Sequence, residues 1–104
     1  MKAINEIKNT LNKCKKYLSN NFKVKSISLF GSYLRGAQKK KSDLDILVEF
    51  NETIDLFEFI KLENYLAEKL SCRVDLVMKD ALKPRIRDRI LREAVSVCNV
   101  RQQN

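Results

Sequence analysis

Hydrophobic residues recur along the chain with two different periods, and these periods separate predicted helices from predicted strands. Residues 3–19 carry apolar side chains three or four positions apart, and residues 55–70 do the same after Asp55, which suits a helix N-cap. Patterns typical of short strands occur in three further segments, at residues 25–30, 43–48 and 73–78. We therefore expect two helices and three strands from these five segments.

A last helix is predicted to begin at Pro84, because proline suits the first helical turn. One face of this helix is apolar and is expected to be buried, at Ile86, Ile90, Leu91, Ala94, Val97 and Cys98. Its opposite face carries arginines and is either solvated or docks a partner.

A short helix is also predicted after Gly31, between the first two strands. Together the elements predict an α/β fold with a small mixed β-sheet of three or more strands, flanked by helices in the order of about α-β-α-β-α-β-α. We expect one domain over residues 1–98, followed by a polar tail over residues 99–104. The chain has no apolar run of the roughly 20 residues that cross a membrane, and we expect no signal peptide before the first helix. The expected location is the cytoplasm.

Two acidic residues open the second predicted strand. Side chains of a strand point alternately to its two faces, so Asp43 and Asp45 are expected on one face, about 6–7 Å apart at Cα. Two carboxylates this close repel each other unless a cation joins them. Mg²⁺ prefers such hard oxygen ligands and commonly shares them with substrate phosphates. The pair therefore predicts a magnesium site.

A phosphate site is predicted just upstream, where the first strand ends at Gly31. Glycine allows backbone N–H groups to approach a ligand closely, and Ser32 stands where a helix would begin. The lysines at residues 39–41 lie between this turn and the acidic strand, where they could help to neutralise a triphosphate. A third acid, Asp75, lies in the strand at 73–78. If that strand neighbours the strand of Asp45, three carboxylates can hold two Mg²⁺ ions for displacement at phosphorus.

The amino-acid composition limits the kinds of partner and of catalytic mechanism that the chain can have. The chain has 104 residues, with 21 Lys and Arg against 13 Asp and Glu, which gives a net charge of +8 and favours polyanions or acidic proteins as partners. It has no histidine, which excludes serine–histidine and cysteine–histidine catalysis. Its three cysteines, Cys14, Cys72 and Cys98, are far apart and are expected to be small core residues in a reducing compartment.

The spacing of Gly31-Ser32, ten residues, and Asp43-Leu44-Asp45 resembles the GS-x10-D-x-D signature of the DNA polymerase β-type nucleotidyltransferase superfamily. More closely, the chain resembles minimal nucleotidyltransferases of the MNT type, the antitoxins of HEPN–MNT toxin–antitoxin pairs. This likeness extends through Val74-Asp75-Leu76-Val77 and the last helix, and covers about residues 20–98.

The resemblance implies specific roles for the candidate residues. Gly31 and Ser32 would hold the triphosphate of ATP, and Asp43, Asp45 and Asp75 would ligate two Mg²⁺ ions, with Asp75 nearest the attacking hydroxyl. Further candidates for nucleotide binding are Arg35, Lys41 and Ser42. The implied acceptor is a tyrosine of a cognate HEPN ribonuclease toxin, which AMP transfer would silence.

Two other functions stay open at the level of sequence. The chain could inhibit a partner by binding alone, in which case the three acids would be dispensable. It could instead transfer a nucleotide to a small molecule or an RNA end, although we expect no extra substrate domain in a chain of 104 residues. Direct nucleic-acid binding is not favoured over a protein partner.

Overall fold

The computed structural model describes residues 4–31 and 44–99 of the chain. Its helices are α1 (Ile4–Lys13), α2 (Lys15–Phe22), α3 (Leu56–Leu70) and α4 (Pro84–Glu93), with a short 3₁₀ turn at Lys79–Ala81. Its strands are β1 (Val24–Phe30), β2 (Leu44–Phe50), β3 (Val74–Met78) and β4 (Val95–Asn99).

The four strands form one mixed sheet in the order β3-β2-β1-β4. Strand β1 pairs antiparallel with both β2 and β4, whereas β2 and β3 are parallel and are joined by α3. A parallel pair requires such a crossover connection, because the chain must return to the same end of the sheet. The predicted α/β fold with a small mixed sheet is confirmed.

A bulge in β1 allows side chains from both parts of this strand to pack in the same core. The pairing with β2 shifts between Val24 and Ser26, so one extra residue is accommodated there. Val24 and Ile27 are three positions apart and would face opposite sides of a regular strand, yet both are completely buried. The shift allows both side chains to join one hydrophobic core.

The core lies between one face of the sheet and helices α1, α2 and α3. Its fully or almost fully buried side chains come from both layers: Ile7, Leu11, Leu18, Leu62, Leu66 and Leu70 from the helices, and Val24, Ile27, Leu29, Leu44, Ile46, Val48 and Leu76 from the strands. No described helix is long and apolar enough to cross a membrane.

Helix α4 lies on the opposite face of the sheet. It connects the edge strand β3 with the other edge strand, β4, so the chain must cross the sheet between them. Leu91 of α4 lines a small cavity with Ser26, Ser28 and Leu47, whose side chains lie away from the core. The sheet therefore has one face covered by three helices and one face crossed by α4.

Two predicted helices differ from those in the structure. The first is interrupted at Cys14, where α1 ends and α2 begins. The last was predicted to continue through Val97 and Cys98, and this prediction is wrong: α4 ends at Glu93, Ala94 is extended, and the following residues pair with β1 as strand β4. Their β-branched valines suit a strand.

The predicted burial of the last helix is also wrong. No residue of α4 is buried, and the side chain of Ile86 is 49% exposed. The expectation of buried cysteines needs a similar correction, since Cys14 and Cys72 are half-buried at the margin of the core. The side chain of Cys98 lies outside the described part of the structure.

Candidate active site

Asp45 and Asp75 lie directly opposite each other on the parallel strands β2 and β3. The next pair in register, Ile46 and Leu76, is buried in the core, so the two acids point to the other face of the sheet. The backbone N–H of Leu44 donates to the carbonyl of Arg73 at 2.9 Å and holds the beginnings of the two strands together. The predicted neighbourhood of the Asp45 and Asp75 strands is confirmed.

Gly31 lies against the carboxylate of Asp45. It follows Phe30, the residue of β1 that pairs with Asp45, and has a φ of 85°, a conformation that side chains rarely tolerate. A β-carbon at Gly31 would lie 3.0 Å from Cγ and 3.3 Å from Cβ of Asp45, and would overlap Oδ2. Only glycine therefore allows the turn and the carboxylate to approach each other this closely.

The two acids differ in exposure, and the difference follows from the order of the strands. Asp45 lies on the inner strand β2 and is half-buried, whereas Asp75 lies on the edge strand β3 and is exposed. Among residues 4–31 and 44–99, Asp75 therefore faces the edge of the sheet, whereas Asp45 lies on the sheet face beside Gly31.

Helix α3 helps to hold β3 in place. The carboxylate of Glu63 accepts a hydrogen bond of 3.1 Å from the backbone N–H of Leu76, the residue directly after Asp75. An edge strand leaves some backbone groups unpaired, and a side chain from a packed helix satisfies one of them here. Glu63 thus fixes the segment of β3 that carries Asp75.

The chemistry of these residues fits a divalent cation. Two carboxylates on one sheet face, on strands about 4.8 Å apart, supply the hard oxygen ligands that Mg²⁺ prefers. Within residues 4–31 and 44–99 no group of three acidic, cysteine or histidine side chains forms a metal cluster. The third predicted ligand, Asp43, lies outside the described residues.

The remaining predicted nucleotide-binding residues also lie outside the described residues: Ser32, Arg35, Lys41 and Ser42. Their roles stay predictions, as does that of Asp43. Of the predicted site, the structure therefore describes Gly31, Asp45 and Asp75, and it brings all three together at one end of the sheet.

A polar group on the same sheet face was not predicted. Ser26 donates a hydrogen bond of 3.3 Å to Glu49 Oε1, and Lys79 Nζ lies 3.6 Å from the same oxygen. Glu49 follows Asp45 by four residues, so the strand period that placed Asp43 and Asp45 together could also have placed Glu49 on their face. Leu47 and Val77 separate this group from the two aspartates.

A larger cavity opens at the other end of β2 and β3. Its volume is about 420 Å³, and Glu49, Phe50, Ile54, Met78 and Asp80 are among the residues that line it. It lies at the carboxyl ends of the two strands, whereas Asp45 and Asp75 lie near their amino ends. The cavity is therefore separate from the paired aspartates.

The fold and the paired aspartates agree with a family match. The polymerase beta nucleotidyltransferase family matches residues 12–103. The chain belongs to this family and is a nucleotidyltransferase.

Two archaeal relatives are similar to most of this chain. A Methanocaldococcus jannaschii protein, named as a putative protein adenylyltransferase, is 57% identical over 83 residues. The match covers 80% of this chain and 85% of that protein. The protein adenylyltransferase MntA of Thermococcus cleftensis is 50% identical over 97 residues, covering 93% of this chain and 98% of MntA.

Two solved structures are also similar. A chain from the crystal structure of a toxin–antitoxin with AMP-PNP has a TM-score of 0.72 and 30% identity, and the match covers 89% of this chain and 73% of that chain. A chain from the complex of a tri-AMPylated Shewanella oneidensis HEPN toxin with MNT antitoxin has a TM-score of 0.65 and 27% identity, with 90% and 73% covered.

Proposed function

We propose that this chain is a magnesium-dependent protein adenylyltransferase that acts as an antitoxin. It transfers AMP from ATP to a tyrosine hydroxyl of a cognate HEPN ribonuclease toxin in the cytoplasm, and the modification silences the toxin. Support comes from the similarity to MntA and to chains of toxin–antitoxin structures, one with AMP-PNP and one with a tri-AMPylated HEPN toxin.

The observation that carries the catalytic part of this proposal is the pairing of Asp45 with Asp75 beside Gly31. A protein that only binds its partner has no need for two carboxylates in register on one sheet face. Nor does it need a glycine at positive φ packed against one of them. This arrangement is costly for stability, because carboxylates repel and the glycine conformation is open to few residues.

The chain's own residues would act by positioning. Gly31 has no side chain, so a phosphate of ATP can approach its backbone N–H closely, with Ser32 beside it in sequence. Asp45 faces the nucleotide from the inner strand, and Asp75 faces the acceptor from the open edge of the sheet. Holding the two reactants in line in this way lowers the barrier without a covalent enzyme intermediate.

The reaction balances as one displacement. The tyrosine oxygen forms a bond with the α-phosphorus of ATP, the bond from that phosphorus to the bridging oxygen of the β-phosphate breaks, and pyrophosphate leaves. The phenolic proton passes to solvent at the exposed side of Asp75. Mg²⁺ held by Asp45, Asp75 and Asp43 would neutralise phosphate charge and lower the pKa of the acceptor hydroxyl.

The test is incubation of the chain with ATP, MgCl₂ and the HEPN protein encoded by the neighbouring gene, followed by intact mass spectrometry of both proteins. The proposal expects mass steps of one AMP on the HEPN protein and loss of its ribonuclease activity. An Asp45→Asn variant should give neither change. Neutralisation by that variant without any mass step would identify a binding inhibitor, and label on RNA alone would identify a different acceptor.

A further inference from the structure

Three large apolar side chains are exposed together at the beginning of α3. Leu56 is 71% exposed, Phe57 is 78% exposed and Ile60 is 43% exposed. They occupy one helical turn at positions i, i+1 and i+4, so they form one continuous surface, here called the α3 patch. Single exposed apolar residues are ordinary, but a contiguous group of this kind marks an interaction surface.

The beginning of α3 does not need these side chains. Asp55 caps the helix by accepting a hydrogen bond of 2.8 Å from the backbone N–H of Glu58, which is the bond that a capping box supplies. Ile54 and Phe59 flank this cap at the positions of a hydrophobic staple, and both are half-buried. Leu56 and Phe57 take no part in either device, and polar or acidic residues would suit these exposed positions better.

The segment that leads into the α3 patch has a charge opposite to that of the chain as a whole. Residues 42–60 contain no lysine or arginine, although the chain has 21 of them. The same stretch contains six acids; Asp55 and Glu58 adjoin the patch in sequence, whereas Glu52 forms an ion pair of 3.4 Å with Lys23, and Lys61 directly follows the patch. Asp55 and Glu58 favour an apolar surface that carries lysine or arginine over nucleic acid.

A second copy of the chain is a poorer occupant. Two copies with a net charge of +8 each repel one another at long range, which opposes their association. A small acceptor molecule is also a poor occupant, since the patch follows the carboxyl end of β2 whereas Asp45 lies near its amino end. The five residue-to-residue steps from Asp45 to Phe50 alone span about 16 Å of strand.

We propose that the α3 patch is an exosite for the folded protein acceptor, which places an apolar, lysine- or arginine-bearing surface on Leu56, Phe57 and Ile60 while its tyrosine reaches Asp45 and Asp75. This inference rests on the proposed function, because it names the acceptor as a folded protein. It assigns recognition of that protein to a surface outside the catalytic residues. Only a macromolecule can occupy the exosite and the carboxylates at the same time.

The test compares two acceptors, the folded HEPN toxin and a short synthetic peptide that contains its modified tyrosine. The double variant Leu56→Ser/Phe57→Ser should raise KM for the folded toxin at least tenfold, leave kcat unchanged and leave peptide modification unchanged. The matched control is Ile86→Ser on α4, which removes an apolar side chain that is 49% exposed but lies outside the patch. It should keep both rates within twofold of wild type.

Charge is tested separately with Glu58→Gln. Removing this acid from beside the patch should weaken toxin binding severalfold, and the difference from wild type should shrink as salt rises. Because all substituted side chains are on the surface, thermal unfolding midpoints should stay close to the wild-type value. An unchanged KM for the folded toxin in Leu56→Ser/Phe57→Ser would overturn the exosite.

The test separates this inference from the proposed function. If the toxin is not modified at all, calorimetric titration of the chain with the toxin still measures docking: binding that is lost in Leu56→Ser/Phe57→Ser supports the exosite while the transfer reaction fails. If wild type sediments as a dimer that the same variant dissociates, a second copy covers the patch and the inference is wrong.

Discussion

Gly31 and Asp45 are packed so closely that a β-carbon on Gly31 would lie 3.0 Å from Cγ of the aspartate. The contact joins the end of β1 to the strand that carries one of the paired acids. It also explains why one of only two glycines in the chain is placed at this turn. The local geometry of the site therefore depends on the absence of a single side chain.

Gly31→Ala should disable the site and cost stability. The β-carbon would have to displace the Asp45 carboxylate, and alanine would be strained at a φ of 85°. We expect AMP transfer to fall by two orders of magnitude or more, and the free energy of unfolding to fall by about 1–3 kcal/mol. Transfer assays and denaturant titrations measure the two effects, with Ser28→Ala on the same strand as the control. Near-normal transfer by Gly31→Ala would show that this contact does not shape the active site.

Asp75→Asn should lower the rate of transfer strongly while the fold stays intact. Asp75 is exposed, so its replacement leaves no buried group without a partner. We expect a loss of about 10²–10³ in rate, the usual cost of removing one electrostatic contact to a transition state.

Binding of the metal offers a second readout for the same residue. MgCl₂ with AMP-PNP should raise the thermal unfolding midpoint of wild type, and the rise should be much smaller in Asp75→Asn. Asp88→Asn, which removes an exposed acid from α4, serves as the control and should behave like wild type. An equal rise in Asp75→Asn would place the cation elsewhere.

Glu63→Ala should lower activity by an indirect route. Its carboxylate accepts the hydrogen bond of the Leu76 N–H, and removing it frees the segment of β3 that holds Asp75. A charged hydrogen bond of this kind contributes about 1.5–3 kcal/mol, so stability should fall by that order.

The effect of Glu63→Ala on kcat shows whether Glu63 positions Asp75 or only stabilises the fold. Glu63→Ala should lower kcat severalfold even at temperatures where the protein is fully folded, and Glu63→Gln, which can still accept the bond, should recover most of it. If Glu63→Gln is as impaired as Glu63→Ala, the carboxylate has a role other than holding β3.

Ionisation of the Tyr65 phenol should make the folded protein less stable at alkaline pH. Desolvation, followed by a hydrogen bond with Cys14, raises the pKa of its phenol far above the ordinary value of 10.0. A raised pKa means that the neutral phenol is favoured in the folded state, so its contribution is complete below pH 10.0 and is lost as pH rises above that value.

The comparison variant is Tyr65→Phe, which keeps the ring stacked on Tyr17 at a centroid distance of 4.9 Å but cannot ionise. Wild type should lose more stability than Tyr65→Phe between pH 9 and pH 11, when both are unfolded by denaturant at each pH. Parallel stability curves for the two proteins would show that the phenol ionises equally easily in the folded and unfolded states.

Much of the fold could be predicted from the sequence because its signals were local. The capped pattern after Asp55 predicted α3, and the strand periods around Asp45 and Asp75 predicted β2 and β3. That β2 and β3 are neighbours was a conditional prediction, since pairing depends on tertiary contacts rather than on periodicity.

The missed boundaries have physical reasons. Helices α2 and α3 end at Lys23 and Ser71, both at positive φ, where glycine is the usual signal. The prediction that the last helix continues to Cys98 was wrong because Val97 and Cys98 also suit a strand. Pairing with β1 decides between helix and strand for these residues.

Part of the candidate site could be predicted in the same local way. The face shared by Asp45 and Asp75 follows from strand period and neighbouring strands, whereas the close contact between Gly31 and Asp45 depends on how β1 ends beside β2. The α3 patch could not be recognised either, because periodicity assigned its apolar residues to the helix without saying which of them the core would leave exposed.

The decisive measurement is the rate of AMP transfer to the purified HEPN toxin by wild type, Asp45→Asn and Asp75→Asn, measured by intact mass under identical conditions. We expect AMP-sized steps on the toxin with wild type, and a loss of at least two orders of magnitude with either variant. Transfer at the wild-type rate by Asp75→Asn would contradict the claim that the paired aspartates form the active site.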